Sequence, residues 1–426
     1  GGHVMPDEIK AEGFVRPGYQ CCDEETESWV SAKAKEMVGR KAETPKTGPK
    51  YVACLSDFLR TLQTTPSGLI AWPMNDEHYR GALYGRDVAQ KIKSVLLEKG
   101  HLIEVQRHSL KLCSVFQAQL EDVPDWLSFR KSRPVSLVKV RAPSRRVRGQ
   151  LRRGRQIPIR RFDRRIVGPL VQDMKTINDM MERNPMVGPD GSIWDSCCRQ
   201  FNGGDEAGRE WRNLGGRIYG DWQNKPSEER LRFKLGGEPV CEIDLKACYL
   251  SMANLMSDNP VALPDDPYKA IGFVCDETTR ELAKRLVNAL LSKDGPVTRF
   301  PRGRDGASFR HEFDIPRGVK VTDYLNDIYS AFLFLKGFHL DGLELMYRES
   351  ELMVQSLVQL AEVDVPAYPV HDCLISRRSD EPVVVDVLRQ VMKDKFGGVV
   401  GLEVEVEGEE PRVLVLEGVT LIISVF

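Results

Sequence analysis

Hydrophobic positions recur at two different periods along this chain, and together the periods predict an α+β fold. Residues 238–245 alternate as in a strand, and the pattern continues at helical spacing to residue 252. A second strand-like run ends near residue 370 and resumes after residue 372, which predicts a hairpin. Helical spacing predicts further helices near residues 84–97, 277–293, 322–336, 343–361 and 381–396, and other runs predict strands near 101–105, 401–407 and 412–424.

These patterns divide the chain into five segments. Residues 1–50 are polar and are expected to be irregular with one short helix. Residues 51–125 form an accessory domain; its order of helix, glycine and strand resembles a winged helix-turn-helix, and an ordinary small α/β domain fits as well. Residues 126–165 form a basic linker, residues 166–235 a mostly helical region with polar breaks, and residues 236–426 a mixed core. Residues 296–320 are rich in Arg and Gly and predict a loop or an extended arm.

The composition is that of an ordinary globular protein, with 41% hydrophobic and 29% charged residues and a net charge of -1. Its apolar runs are shorter than a membrane span, and no secretion signal is recognisable at the start. We therefore expect a cytoplasmic protein with no membrane partner. The ten cysteines contain no C-x-x-C pair, which argues against structural zinc and favours free thiols.

Positive charge is concentrated between residues 130 and 165, where fifteen Lys or Arg residues face one acid, Asp163. Such a block is a candidate track for a phosphate backbone, and its central arginines are candidate DNA contacts: Arg145, Arg146, Arg152 and Arg153. A solvated linker, or a tail that binds any polyanion, is the structural alternative.

Two aspartates carry the clearest chemical signal. Asp244 stands at the end of the predicted strand and Asp372 in the turn of the predicted hairpin. Aspartates placed so can meet across neighbouring strands and hold two divalent cations, the arrangement that transfers phosphoryl or nucleotidyl groups. Arg280 and Lys284 lie between them in sequence, four residues apart and thus on one helix face, which suits a triphosphate.

This ordered set resembles the polymerase motifs A, B and C of family-A DNA polymerases. The matches are Asp244, then Arg280 and Lys284, then Val370, His371 and Asp372. Gly216 with Arg217, and the run from Trp222 to Pro226, are similar to the family's primer–template contact motifs. The resemblance covers residues 210–380. It implies a right-hand fold with an antiparallel palm, helical fingers and a helical thumb, the thumb at residues 166–235.

The sequence departs from the family at three places. Tyr249 replaces the motif A glutamate, and its surroundings resemble motif A of family-B polymerases, where this position excludes a 2′-hydroxyl. Asn288 stands where family A has an aromatic residue in motif B, again as in family B. Cys373 replaces the acid that often follows the motif C aspartate, and Glu242 is a candidate substitute because strand alternation places it on the face of Asp244.

The resemblance also assigns roles. Asp244, Asp372 and the backbone carbonyl of Leu245 would bind the metals, while Lys284, Arg280, Tyr249 and Asn288 would bind the nucleotide. The implied DNA contacts are Arg217, Gln223, Asn224, Arg230 and His371. The arm arginines Arg299, Arg302, Arg304 and Arg310 would touch template or triphosphate, or lie in a loop without a ligand. Trp211 and Trp222 are expected in the core.

The sequence therefore predicts a template-directed DNA polymerase from a bacterial, phage or mobile-element context, active in replication or repair. It would add deoxynucleotides to the primer of a DNA primer–template with Mg²⁺, or Mn²⁺ as an alternative. No acidic triplet of a proofreading exonuclease precedes residue 210, so we expect no proofreading. Three alternatives stay open: a primase or RNA polymerase that initiates de novo, a two-metal nuclease, and a non-enzymatic DNA-binding replication initiator.

Overall fold

The computed structural model describes residues 9, 11–74, 76–79, 81–107, 114–132, 136–147, 150–189, 191–292, 296–303 and 306–414. Over these residues the chain is an α+β protein with helices and several separate sheets. It divides into two compact units, the first made of residues 1–137 and 181–197 and the second of residues 138–180 and 198–426.

The helices and strands of the described residues are numbered in chain order. The helices are α1 (Glu24–Val38), α2 (Gly48–Gln63), α3 (Arg86–Glu98), α4 (Arg164–Arg183), α5 (Ser227–Arg230), α6 (Cys248–Leu255), α7 (Glu277–Ser292), α8 (Phe309–Glu312), α9 (Val321–Ala331), α10 (Gly342–Glu362) and α11 (Glu381–Phe396). The strands are β1 (Gly13–Phe14), β2 (Tyr19–Cys21), β3 (Leu69–Ala71), β4 (Leu102–Gln106), β5 (Val115–Ala118), β6 (Phe129–Lys131), β7 (Val138–Arg141), β8 (Arg145–Val147), β9 (Gln150–Arg152), β10 (Gln156–Ile157), β11 (Met186–Val187), β12 (Ile193–Trp194), β13 (Cys198–Phe201), β14 (Gly215–Tyr219), β15 (Lys234–Leu235), β16 (Glu238–Leu245), β17 (Ala367–Val370), β18 (Cys373–Arg377), β19 (Leu402–Glu405) and β20 (Arg412–Leu414).

The first unit packs three helices around a small sheet in the order β1-β3-β5-β4. Phe58 and Trp72 stack in its core with ring centroids 5.2 Å apart. Helix α2 also buries Asp57, which accepts hydrogen bonds from the Tyr84 hydroxyl at 2.6 Å and the Tyr19 amide at 2.7 Å. Helix α3 is followed by the antiparallel strands β4 and β5. A winged helix and an ordinary small α/β domain both contain this order of elements, and the winged-helix interpretation stays a prediction.

The second unit is organised around an antiparallel sheet in which β16 is central. Strand β18 flanks one side of β16, strand β19 pairs with its second half on the other side, and β15 pairs with its start. Strand β17 lies outside β18, and β20 lies outside β19. Val240 and Ile243 lie on opposite faces of β16 and are both fully buried, so both faces of the strand are covered.

Helices cover this sheet and continue into a separate apolar cluster. Helix α10 packs against β14, β17 and α11. Helices α6, α7 and α9 share a core that includes Leu286, Leu325 and Phe309. The start of α7 is fixed by Asp276, whose carboxylate accepts from the Thr279 amide at 2.7 Å, as an N-cap does.

The fold confirms most of the predicted elements after residue 236 and corrects two regions before it. The prediction that residues 166–235 are mostly helical is wrong: after α4 the segment consists of short strands, 3₁₀ turns and the four-residue α5. The segment before residue 50 contains a 15-residue helix, α1, and two short strands. The five-segment division stays a prediction. Lys293, Arg304 and the end of the strand expected at 412–424 lie outside the described residues.

Three further expectations concern the chain as a whole. In the part of the chain that the structure describes, no helix combines the length and apolar character needed to cross a bilayer. The nine cysteines of the described ranges are free thiols. Trp222 is fully buried, and its indole donates to the Pro369 carbonyl at 2.9 Å; Trp211 is likewise buried, so both are core residues as expected.

Candidate active site

The central sheet brings Asp244 and Asp372 to the same end. Asp244 pairs with Cys373 across β16 and β18, which places Asp372 one residue beyond the ladder. The Leu245 amide donates to the Asp372 carbonyl at 3.0 Å and fastens the two segments together. Ala247, three residues after Asp244, and His371, immediately before Asp372, both adopt the left-handed conformation, with φ angles of 44° and 55°. Such strained positions are concentrated at functional sites.

Both aspartates open into a cavity of about 890 Å³ in the second unit. Its walls come from β16, the turn into α6, the face of α7 and the start of α10. Eight residues that the sequence singled out line this one cavity: Arg217, Asp244, Leu245, Tyr249, Arg280, Lys284, Asn288 and Asp372. They come from segments up to 155 positions apart (372 − 217), so their convergence is a property of the fold.

Acidic groups crowd the strand end. Burial raises the pKa of Asp244 to about 8, and the charges of Asp372, Glu405 and Glu403 add to the effect. Burial also raises the pKa of Asp372, although Arg217 and Lys284 counteract it. Carboxylates that repel one another in this way create a strongly negative potential, and a divalent cation would relieve it.

Helix α7 contributes two cations, Arg280 and Lys284, to the cavity lining. Arg280 donates to Asp266 at 2.7 Å and to Glu277 at 3.3 Å, and the hydrogen bond to Asp266 raises the pKa of Arg280. Lys284 is exposed and makes no ion pair with any described residue. Asn288 follows one turn later and is exposed to the same cavity. Arg280 is therefore already paired with acids, whereas the positive charge of Lys284 is available to a ligand.

Arg217 forms an ion pair with a buried acid, Glu349, and both residues line the cavity. Its guanidinium donates to both Glu349 oxygens at 2.8 and 2.9 Å and to the Tyr249 hydroxyl at 3.1 Å. Glu349 is 2% exposed. Burial lowers the pKa of Arg217, but the charge of Glu349 outweighs this effect, so the pKa of Arg217 is raised. Tyr249 is thus anchored by its hydroxyl.

Two glycines allow the start of β14 to pack closely against α10 and so position Arg217 beside Glu349. Gly215 and Gly216 have φ angles of 76° and 75°, a conformation that other residues rarely adopt. Ser350 donates to the Gly215 carbonyl at 2.9 Å, and Arg199 donates to the Gly216 carbonyl at 2.7 Å. A side chain at position 216 would meet the Phe201 ring at 2.9 Å. Close packing of this turn against α10 sets the Arg217–Glu349 pair.

Glu242 does not join the cavity. It is 4% exposed and accepts a bidentate pair of hydrogen bonds from Arg230, at 2.6 and 3.0 Å. Ser227 adds a third contact at 3.2 Å. Glu242 and Arg230 are therefore bound to each other within the protein. The prediction that Glu242 replaces the missing motif C acid in the cavity is wrong, because Glu242 does not line it. The DNA contact of Arg230 stays a prediction.

Apart from Arg217, the predicted DNA contacts are not among the residues that line the cavity. Gln223 donates to the carbonyls of Ile218 and Pro369 at 3.0 and 2.9 Å and so braces the hairpin. Asn224 and His371 are exposed. The arginines of the basic block that are candidate contacts, namely Arg145, Arg146, Arg152 and Arg153, are exposed on or beside the β8–β9 hairpin.

Four acids that line the cavity were not predicted from the sequence: Asp265, Asp266, Glu349 and Glu403. Glu403 stands opposite Asp244 on β19 and lies 3.6 Å from the Lys246 ammonium. Glu349 had a recognisable signal, since it occupies the apolar face of α10 between Leu345 and Leu352. A charged residue at such a position indicates a buried ion pair.

Known proteins give no independent guide to this site. No model of a known protein family matches the chain, and no curated protein is similar to it. The chemistry must therefore be inferred from the cavity itself.

Proposed function

We propose that the chain is a template-directed DNA polymerase that adds deoxynucleotides to a primer 3′-hydroxyl. The observation that carries the proposal is the convergence of Asp244 and Asp372 with Arg280, Lys284 and Tyr249 in one cavity. In this proposal the sheet around β16 is the palm and the helices around α7 are the fingers of a right-hand fold. Within residues 166–235, where the thumb was expected, α4 is the long helix and the rest consists of short elements.

The donor set at the strand end fits Mg²⁺. Carboxylate and carbonyl oxygens are the ligands that this hard cation prefers, and they are offered by Asp244, Asp372 and the Leu245 backbone. Within the described ranges, no cluster of three or more His, Cys, Asp or Glu side chains could hold an ion by itself. Mg²⁺ usually keeps several waters and uses one or two carboxylates plus substrate phosphates, so two aspartates suffice.

The metals would activate the primer hydroxyl and neutralise the triphosphate. Lys284 would bind the same triphosphate and supply a proton to the departing pyrophosphate, because its ammonium has no acidic partner among the described residues. Arg280 would exchange Asp266 for the outer phosphates. Each cation stabilises charge that accumulates on the leaving group.

Tyr249 would close the sugar pocket. Its ring lines the cavity three residues beyond Lys246, and its hydroxyl is held by Arg217. A fixed ring excludes a 2′-hydroxyl better than a mobile ring does, because excluding an atom requires that the wall not move. The Arg217–Glu349 pair therefore supports a preference for deoxynucleotides.

The cations of α7 favour a polymerase over a two-metal nuclease, which has no triphosphate to bind. The test uses four labelled primer–templates that differ in their first unpaired template base. The proposal expects each to be extended by the complementary deoxynucleotide alone, and not to be shortened when nucleotides are left out. Extension that ignores the template, or degradation without extension, would contradict it.

A further inference from the structure

A second cavity of about 430 Å³ lies in the segment between α7 and α9. Four cations contribute to its lining: Arg299, Arg302, Arg310 and Lys320. Ser308 adds a hydroxyl, and none of the described lining residues is acidic. The catalytic cavity differs, because there Arg280 and Arg217 are paired with carboxylates. Uncompensated positive charge around a cavity is suited to an anion.

None of the four cations forms an ion pair with a described acid, so no acidic side chain compensates their charge. Arg310 is fixed without being neutralised: it donates to the carbonyls of Pro316 and Val319 at 2.5 and 2.6 Å, and its guanidinium lies 4.8 Å from the centre of the Phe300 ring. Carbonyl oxygens and an aromatic face orient a guanidinium and leave its full positive charge.

The walls of the cavity are also held in place. Arg302 and Ser308 form an antiparallel bridge, and the Phe309 amide donates to the Pro301 carbonyl at 2.9 Å. Lys320 precedes the eleven-residue helix α9, whose positive end adds to the local potential. The nearby Asp323 carboxylate is engaged by the Lys320 amide at 2.9 Å. A site preorganised in this way needs little rearrangement to bind an anion.

Helix α7 connects this cavity to the proposed catalytic one. Lys284 and Asn288 of α7 line the catalytic cavity. The neighbouring Arg285 lies over the rings of Phe309 and Phe313, at 4.3 and 5.3 Å from their centres. Phe309 and α7 belong to one apolar cluster. The segment that carries the second cavity is therefore packed on the helix that would hold the triphosphate.

We propose that the second cavity binds the phosphodiester groups of single-stranded nucleic acid, and that in the polymerase this strand is the unpaired template. The inference rests on the proposed function for the identity of the strand. The phosphate chemistry rests on the cavity alone. A free polyphosphate carries the same chemistry, so the experiment must separate the two sources.

The test measures binding of a labelled single-stranded DNA without nucleotides and with EDTA, so that catalysis plays no part. The variant Arg299→Gln/Arg302→Gln removes two charges from the cavity. The matched control Arg317→Gln/Lys336→Gln removes two exposed charges that do not line it. We expect the cavity variant to bind about tenfold more weakly. Its slope of log affinity against log salt should fall by about 1.4, the value for two lost phosphate contacts.

Equal weakening in the control variant, or unchanged binding in the cavity variant, would overturn the proposal. Tripolyphosphate that competes with the strand at micromolar concentration would instead assign the cavity to a free anion and also overturn it. Thermal melting of both variants checks that they fold. Lost strand binding in the cavity variant, with no primer extension by the wild type, would leave the phosphate site standing and refute the polymerase.

Discussion

Replacing Asp244 by Asn should stabilise the central sheet in the absence of divalent cations, because the native carboxyl is mostly buried and lies near other acids. Moving the pKa of a carboxyl from 3.8 to about 8 corresponds to about 6 kcal/mol against its charged form. Solvent in the cavity screens part of this energy. We therefore expect a gain of about 2 kcal/mol in the free energy of opening.

The sign of the pH dependence follows from linkage. The native pKa lies above the unfolded value, so between pH 4 and 8 the unfolded state binds fewer protons, and the stability of the wild type falls as the pH rises. The fall is at most roughly 1.4 kcal/mol per pH unit. The Asn variant lacks this term, so its advantage should be greatest near pH 8 and shrink toward pH 5.

Hydrogen exchange of β16 and β18 amides, followed by mass spectrometry in EDTA, measures the local opening free energy. A gain of about 2 kcal/mol appears as roughly 30-fold slower exchange. Asp386→Asn, at an exposed position of α11, is the matched control and should change nothing. Saturating Mg²⁺ should protect the wild type and not the Asp244 variant. Faster exchange in the Asp244 variant at pH 8 without metal would refute the conclusion that burial and the neighbouring acids destabilise the charged Asp244 carboxylate.

Four other predictions follow from particular contacts. Glu349→Ala leaves Arg217 without its partner in a mostly buried position and should cost about 3–5 kcal/mol in urea unfolding; a loss under 1 kcal/mol would show that the pair is solvated. Tyr249→Ala should raise ribonucleotide incorporation at least about tenfold, measured as kcat/KM, and unchanged discrimination would remove the sugar-gate role. Ala247→Gly should relieve a left-handed strain of about 1 kcal/mol and raise the melting temperature; destabilisation would contradict the strain. Burial raises the pKa of Asp57 to about 7, so the stability of the first unit should fall as pH rises from 4 to 7; Asp57→Asn should flatten this dependence in pH-dependent urea melts, and an unchanged slope would argue against it.

Local signals explain which parts of the fold could be predicted. The alternation of β16, the N-cap at Asp276 and the hairpin around His371 are encoded within a few residues each, and the structure confirms those elements. Helix α1 has the same kind of signal in a weaker form. Its buried positions, Thr26, Val30, Ala34 and Met37, follow helical spacing, but Thr26 is polar and Ala34 is small, so the apolar stripe is weak. A charged exterior concealed this helix.

Residues 166–235 could not be derived in the same way because their structure depends on distant partners. Gly215 and Gly216 break the helical expectation with left-handed turns, and those turns are stabilised by Ser350 and Arg199. The same dependence explains Arg230. Arg230 was expected to contact DNA, yet its guanidinium donates to Glu242, twelve positions later. Side-chain pairing of this kind has no local periodicity to reveal it.

The most direct test of the central claim compares extension of a primer–template by the wild type and by Asp244→Asn, Asp372→Asn and the control Asp386→Asn. We expect Mg²⁺-dependent extension by the wild type and the control, and a loss of at least about 1000-fold in both cavity variants. Primer–template binding and melting temperature should persist in all four proteins. Extension that survives either cavity substitution, or a wild type that extends nothing with Mg²⁺ or Mn²⁺, would contradict the proposal that these aspartates form a polymerase centre.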